Sequence, residues 1–382
     1  MTPAELARTR SVLICCGSGG VGKTTVAAAF ALEAARMGRR ACVVTIDPAK
    51  RLADALGLGS LSNTPTQVEL AVPVPTGSGP DDATSAPAGP GGAGGAANEH
   101  RQGELWALML DTKTTFDELV RRYAASDQQA EGILDNRLYR NLSQALSGTQ
   151  EYMAMEKLYE LHTDTRFDLV VVDTPPTRNA LDFLDAPRRL TRFLDNRIFR
   201  LLIMPTRAYL KAVSLATQAF LRTVSKVVGA EVVDDAVAFF QAFEGMEAGF
   251  RDRAARVETL LSDPGTAFVV VASARKDTVI EAAYFIDRLS TSGFETANLV
   301  VNRLHPRFGE PGTAARLRAE GRDDDLVTNL AQLEAVGERE EGHFAELAAA
   351  VAPAPVTRIP FLADDVHDLG GLEKVATYLF AD

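Results

Sequence analysis

Residues 17 to 25 read Gly17-Ser18-Gly19-Gly20-Val21-Gly22-Lys23-Thr24-Thr25, glycines followed by an amine and two hydroxyls. The spacing is G-x-x-x-x-G-K-[ST], that of a loop that wraps phosphate groups. Glycines let successive N–H groups and the start of the next helix converge on phosphate oxygens. Lys23 brings a point charge to the β and γ phosphates, and the Thr24 hydroxyl is placed to ligate Mg²⁺. An apolar strand, SVLICC, precedes the loop and the helical run VAAAFALEAARMG follows it. The expected phosphate-binding set is therefore Gly19, Gly20, Val21, Gly22, Lys23, Thr24 and Thr25.

Such a loop needs carboxylates on the metal side, and two apolar strands end in one. Asp47 closes ACVVTID and Asp173 closes FDLVVVD. At the C-terminal ends of parallel strands both would share the sheet edge with the loop and reach a hydrated Mg²⁺ through water. Each alone could equally start a turn, as Asp47-Pro48 and Asp173-Thr174-Pro175 do well. Asn302 ends a third such run, ANLVVNR. The following Arg303-Leu304-His305 lacks the Asn-Lys-x-Asp arrangement of guanine readers, so adenine is the expected base and ATP or ADP with Mg²⁺ the expected ligand.

These residues must be positioned by strands, and the chain supplies short β-rich runs: SVLICC, ACVVTID, ELWALML, FDLVVVD, AFVVVAS, ANLVVNR and VTRIPF. Helical stretches separate them, the alternation that builds an α/β fold, a mostly parallel sheet flanked by helices. The expected organisation is one domain over residues 1–382. Residues 73–98, rich in Gly, Pro, Ala and Ser with almost no large apolar residue, read as a mobile surface insertion. Residues 112–163 and 179–262 are strand-poor and read as an inserted helical subdomain. There Leu210, Val213, Phe220, Leu221, Val224 and Val228 form one helical stripe, and Phe239, Phe240, Phe243, Met246 and Phe250 a second. Such stripes form core when they face each other or the sheet, or a groove for an apolar client when they do not.

A formal charge of −11 opposes capture by nucleic acid or anionic lipid, which need a basic surface. An apolar content of 46% suffices for a core, yet no run is long enough to cross a bilayer, and the first apolar run is too short for a leader. Cys15, Cys16 and Cys42 sit in apolar runs and read as reduced core thiols, the first two on opposite faces of one strand. Together these features predict a cytoplasmic protein that is not integral to a membrane. The five histidines are scattered without metal-ligand spacing, and no Ser-His-Asp or Cys-His constellation emerges.

The motifs GSGGVGKTT, TIDPAKRLADALGL, VVVDTPPTRNALDFLDAP, LVVNR and IPFLADDV, in order along nearly the whole chain, resemble those of the deviant P-loop ATPases. The group in question comprises the arsenite-pump ATPase (ArsA) and the guided-entry ATPases that target tail-anchored proteins. The likeness is greatest to bacterial Get-like members that occur as paired, dissimilar subunits, on the B-type side. It implies a dimeric ATPase in which Asp54 orients the attacking water beside Lys23, Asp173 belongs to the second switch, and Asn302 with Pro360, Phe361 and Leu362 holds adenine. Three departures stand out. Ser18 replaces the lysine that family members send across the dimer, no cysteine lies beyond Cys42 for a zinc-closing C-x-x-C pair, and the helical region lacks cysteines for arsenite. The resemblance then implies an ATP-driven switch without zinc, coupled to a partner or apolar client and paired with a related ATPase that carries the lysine. The alternative is a catalytically weak nucleotide-binding subunit that regulates such a partner. A partitioning ATPase shares the loop but needs a basic DNA-binding surface.

Overall fold

The computed structural model describes residues 1–46, 51–70, 103–137, 139, 149–175, 182–196, 235, 238–322 and 324–381. Its strands are β1 (Val12–Gly17), β2 (Arg40–Thr45), β3 (Thr66–Val68), β4 (Glu104–Met109), β5 (Leu169–Asp173), β6 (Thr266–Ser273), β7 (Thr296–Leu304) and β8 (Val356–Pro360). They form one eight-stranded sheet in the order β3-β4-β2-β5-β1-β6-β7-β8. All pairings are parallel except that of β3 with β4. The seven runs expected from the sequence are all strands. The additional one, β3, is three residues long, too short for an alternating pattern to register.

Central strands are apolar along their whole length because helices cover both faces of the sheet. Every residue of β1 is buried, and its side chains alternate between two cores. Val12, Ile14 and Cys16 join one core; Leu13 and Cys15 join the other. The first core is closed by α6 (Thr149–Thr163), α8 (Glu247–Leu261), α9 (Lys276–Thr291) and α11 (Asp325–Ala350). The second is closed by α1 (Pro3–Thr9), α2 (Lys23–Arg36), α3 (Arg51–Ala55) and α12 (Leu369–Leu379). Helix α2 is alanine-rich and buried nearly all round, so its backbone lies close against β1, β2 and β5.

Strand order locates the site. From β1 the chain builds outward through β2 and β4, returns to insert β5 beside β1, then builds β6, β7 and β8 on the other side. That reversal opens a crevice beyond the C-terminal end of β1, where the glycine-rich loop begins. Gly17, the last residue of β1, has φ +153°, and a Cβ there would lie 2.1 Å from the Val271 carbonyl oxygen of β6. Only glycine allows the loop to leave the sheet so close to its neighbour.

A third apolar cluster lies among α4 (Thr112–Tyr123), α5 (Asp127–Leu134), α6, α7 (Asp182–Asp195) and α8. Phe239, Phe243, Met246 and Phe250 are buried in it with Leu119, Val120, Ile133 and Tyr139, and Phe240 packs against it. The Phe239 and Phe243 rings meet edge to face at 4.9 Å. This stripe is core, and it does not form an open client groove. The stripe from Leu210 to Val228, residues 73–98 and Asp47 lie outside the described residues. Within 112–163 and 179–262 the described elements are α4 to α8, with no strand. A buried ion pair ties α6 to α8: Arg253 Nη2 lies 2.5 Å from Glu156 Oε1, and the guanidinium stands 3.9 Å over the Tyr159 ring. No helix among the described residues is long and apolar enough to cross a membrane. The α10 helix (Thr313–Ala319) packs on α11.

Candidate functional site

The loop from Gly17 to Gly22 delivers the chain into α2 with Gly22 as N-cap at φ +93°, and no side chain caps the helix. The first N–H groups of α2 thus have no intrahelical partner and form a donor set suited to an anion. Lys23 is 6% exposed, and its ammonium donates to the Ser18 carbonyl at 2.9 Å. Ser18 is itself buried, and its hydroxyl has no hydrogen-bond partner among the described residues. Its backbone, not its side chain, serves the loop geometry.

Thr24 reaches the Asp173 carboxylate directly. Its hydroxyl donates to Asp173 Oδ2 at 2.7 Å, and the Thr45 hydroxyl at the end of β2 donates to the same oxygen at 2.9 Å. Asp173 is 1% exposed and lies beneath the cleft rather than on its wall. The side chain next to it, Thr174, lines the cleft and donates to the Cys15 carbonyl at 2.8 Å, fastening the end of β5 to β1. Burial pushes the Cys15 thiol well up, helped by the charge of Asp173, and pushes Cys16 up to about 12 against the opposing charge of Lys23. Both thiols are protonated core groups rather than nucleophiles.

A cleft of about 630 Å³ opens above this floor. Its walls include Gly20, Gly22, Lys23, Thr24 and Thr25 from the loop and α2, and Asp54 from α3. Asn302, Pro360, Phe361 and Leu362 complete it from β7 and the end of β8. Gly19 is exposed and Val21 is buried, and neither forms its wall. Asp54 is exposed at the cleft. Phe361 keeps 55% of its surface exposed there, while its N–H donates to the Leu304 carbonyl at 2.7 Å and so joins β8 to β7. One cleft thus gathers Gly20, Gly22, Lys23, Thr24, Thr25, Asp54, Asn302, Pro360, Phe361 and Leu362, from segments more than 300 positions apart, while Gly19, Val21 and Asp173 lie off its wall.

Sequence reasoning missed Thr45, Thr174, Arg51, Arg303, Asp364, Asp365 and His367, the last six of which line the cleft. A strand-terminal position marks Thr45 and Thr174, but hydroxyls at strand ends are too common to single out. Arg303 is the one described non-glycine residue with positive φ, at 60°, a conformation that costs an ordinary side chain about 1–2 kcal/mol.

The donor set suits a hydrated Mg²⁺. Hard oxygens, a hydroxyl backed by a buried carboxylate, meet a helix start that can take the phosphates which usually share the ion. Glycine at position 22 also lets the loop pack closely against β7, since a Cβ there would fall 2.3 Å from Asn302 Nδ2.

The chain matches the family model described as anion-transporting ATPase over residues 10–73 and 102–380. An arsenical pump-driving ATPase of Escherichia coli is 24% identical over 326 residues, covering 84% of this chain and 44% of that protein. ATPase GET3 of Malassezia globosa is 24% identical over 369 residues, 96% of this chain and 90% of its own. A putative arsenical pump-driving ATPase 1 of Aquifex aeolicus is 20% identical over 374 residues, 97% and 79% of the two chains. The chain therefore spans less than half the length of the E. coli relative. Because the family match runs without a break through the glycine-rich loop, and again through the strands that carry Asp173 and Asn302, this chain belongs to the anion-transporting ATPase family.

Proposed function

We propose that this chain binds Mg–ATP in the cleft, hydrolyses it, and works as a dimeric switch whose closure is passed to a protein partner or client. The observation that carries the reading is the Thr24 hydroxyl bonded to Asp173 in the same cleft that Asn302, Pro360, Phe361 and Leu362 enclose from the other side. Phosphates would take the helix start and the Lys23 ammonium, released from the Ser18 carbonyl. Mg²⁺, held by Thr24 and through water by Asp173 and Asp47, would offset charge on the phosphates. Asp54, exposed at the cleft, would orient the attacking water. Asn302 and the segment 360–362 would hold adenine, with the exposed Phe361 ring offering an apolar face.

A charge is missing from this chain's own loop, where Ser18 stands at the position of the family's lysine. A related ATPase carrying lysine there would supply a trans-acting cation to the transferred phosphoryl group, so the pairing proposed is a heterodimer. The helices α4 to α8 are proposed as the subdomain that transmits closure. The reading needs no zinc.

Calorimetry and phosphate release test it. Lys23→Ala should abolish ATP binding, while Asp54→Asn should keep binding and slow turnover. Equal loss of both properties in Asp54→Asn would make that residue structural, and undiminished binding in Lys23→Ala would remove the site. Ser18→Lys should speed turnover of the isolated chain; rapid turnover unchanged by that substitution would remove the reason for a trans-acting partner.

A further inference from the structure

We infer that Asn302 and Arg303 form a clip that presets the phosphate loop, so that one dipeptide at the end of β7 holds both the base-reading carboxamide and the anion-binding amides. The inference rests on reading the cleft as a nucleotide site, and it adds to that site a positioning role that base contact does not require.

Three hydrogen bonds make the clip. Asn302 Nδ2 donates to the Val21 carbonyl at 2.9 Å, Arg303 Nη1 donates to the Gly20 carbonyl at 2.8 Å, and the Arg303 N–H donates to Asn302 Oδ1 at 2.9 Å. Two successive loop carbonyls are thereby drawn toward β7. A trans peptide is planar, with its N–H directed opposite to its C=O. The Gly20 carbonyl shares its peptide with the Val21 N–H, and the Val21 carbonyl shares its peptide with the Gly22 N–H. Drawing both oxygens toward β7 turns these two amides away from it, the orientation a phosphate cradle needs.

Two backbone features show how closely the clip is fitted. Arg303 is held at φ +60°, which a side chain of its size adopts only when its surroundings over-determine it. The Asn302 oxygen on its N–H and the guanidinium on Gly20 provide that constraint. At Gly22, a Cβ would lie 2.3 Å from Asn302 Nδ2, so the carboxamide rests against the loop in the space that glycine leaves. The carboxamide is not exhausted by these bonds, since it has a second N–H and a second lone pair on its oxygen. A base bound there would stiffen the clip, and base and phosphate binding would reinforce each other.

The test separates loop positioning from base reading by using a ligand with no base and a measurement with no ligand. Amide hydrogen exchange at Val21 and Gly22 is followed in the nucleotide-free full-length chain, and binding of magnesium tripolyphosphate is measured by calorimetry, for wild type, Asn302→Ala, Arg303→Ala and Arg303→Lys. Both alanine variants should speed exchange at these amides; Arg303→Ala should weaken tripolyphosphate roughly 3- to 10-fold, the effect of one lost hydrogen bond, and Asn302→Ala, which loses two, should weaken it at least as much. Arg303→Lys, which keeps a donor for Gly20, should recover part of the loss. Should Asn302→Ala fail to fold, the exposed Arg303 carries the test alone. Unchanged exchange, with the effect of Asn302→Ala confined to discrimination between ATP and GTP, would overturn the clip. A wild-type chain that binds neither ATP nor tripolyphosphate would instead sink the nucleotide-site reading, and the ligand-free exchange would still decide the clip.

Discussion

Asp173→Asn separates fastening from chemistry at the centre of the site. In the wild type, one carboxylate oxygen accepts the hydroxyls of Thr24 at 2.7 Å and Thr45 at 2.9 Å. Asparagine can place its amide oxygen at the same point and keep both bonds, now neutral. Hydrogen bonds to a charged group contribute about 1.5–3 kcal/mol each and neutral ones about 0.5–1.5, so the two bonds together weaken by about 2–3 kcal/mol. Relief of the charge at a position that is 1% exposed opposes this loss, leaving a net destabilisation of about 2 kcal/mol or less. With an unfolding entropy of about 2.1 cal/mol/K per residue, 382 residues correspond to about 0.8 kcal/mol/K, and Tm should fall by about 2–3 °C at most. If the proposed site is correct, the functional effect should be far larger, because the carboxylate that holds the Thr24 hydroxyl would also orient metal-bound water, and outer-sphere partners of this kind change metal affinity or activity by about 10- to 100-fold. The assay pairs thermal unfolding with phosphate release titrated with Mg²⁺ at saturating ATP. A variant that loses several degrees of Tm while keeping the wild-type Mg²⁺ dependence would refute the reasoning and reduce Asp173 to a fastener of β1, β2 and β5.

Two further outcomes concern the helices. Glu156→Ala should cost about 3–5 kcal/mol, because it strands the buried Arg253 guanidinium between α6 and α8, and unfolding in denaturant that shows a change below 1 kcal/mol would contradict the assignment. Burial holds the Glu156 carboxyl above its ordinary value of 4.5 despite Arg253, so its contribution to stability is full below that value and declines as pH rises through the folded-state pKa. Relative to Glu156→Gln, the wild type should therefore lose ground as pH climbs from about 4.5 toward neutrality, and a gap that widens in its favour would reverse the sign. Phe250→Ser should lower stability by about 3–5 kcal/mol, the scale of a truncated core aromatic, since its ring is buried against Tyr123 and Phe243; an unchanged Tm would place it at a surface after all.

The third apolar cluster shows where periodicity stops being informative. Spacing alone put Phe239, Phe240, Phe243, Met246 and Phe250 on one helical stripe, which the turn at 243–246 divides between two helices, and it could not name what lies opposite, since an apolar stripe has the same period whether a neighbour or a client covers it. Packing against α4, α5 and α6 settled the matter. The strand β3 escaped for a different reason: three residues at an antiparallel edge, with one inward side chain, contain no period to detect.

The sequence by itself determined the glycine-rich loop and the class of sheet around it. The loop's glycines, Lys23 and Thr24 are contiguous, and their shape depends on local bonds such as that from Lys23 to Ser18, five residues away. The apolar runs of β1, β2, β5, β6 and β7 state their own burial on both faces. What tertiary structure alone decided is which distant groups finish the site. Thr45 and Thr24 share an oxygen of Asp173 across more than a hundred positions, and Asn302 and Arg303 reach back about 280 residues to two loop carbonyls. Pairings of that kind depend on strand order and register, which are fixed when the whole sheet closes around its cores, and no local pattern of residues records them.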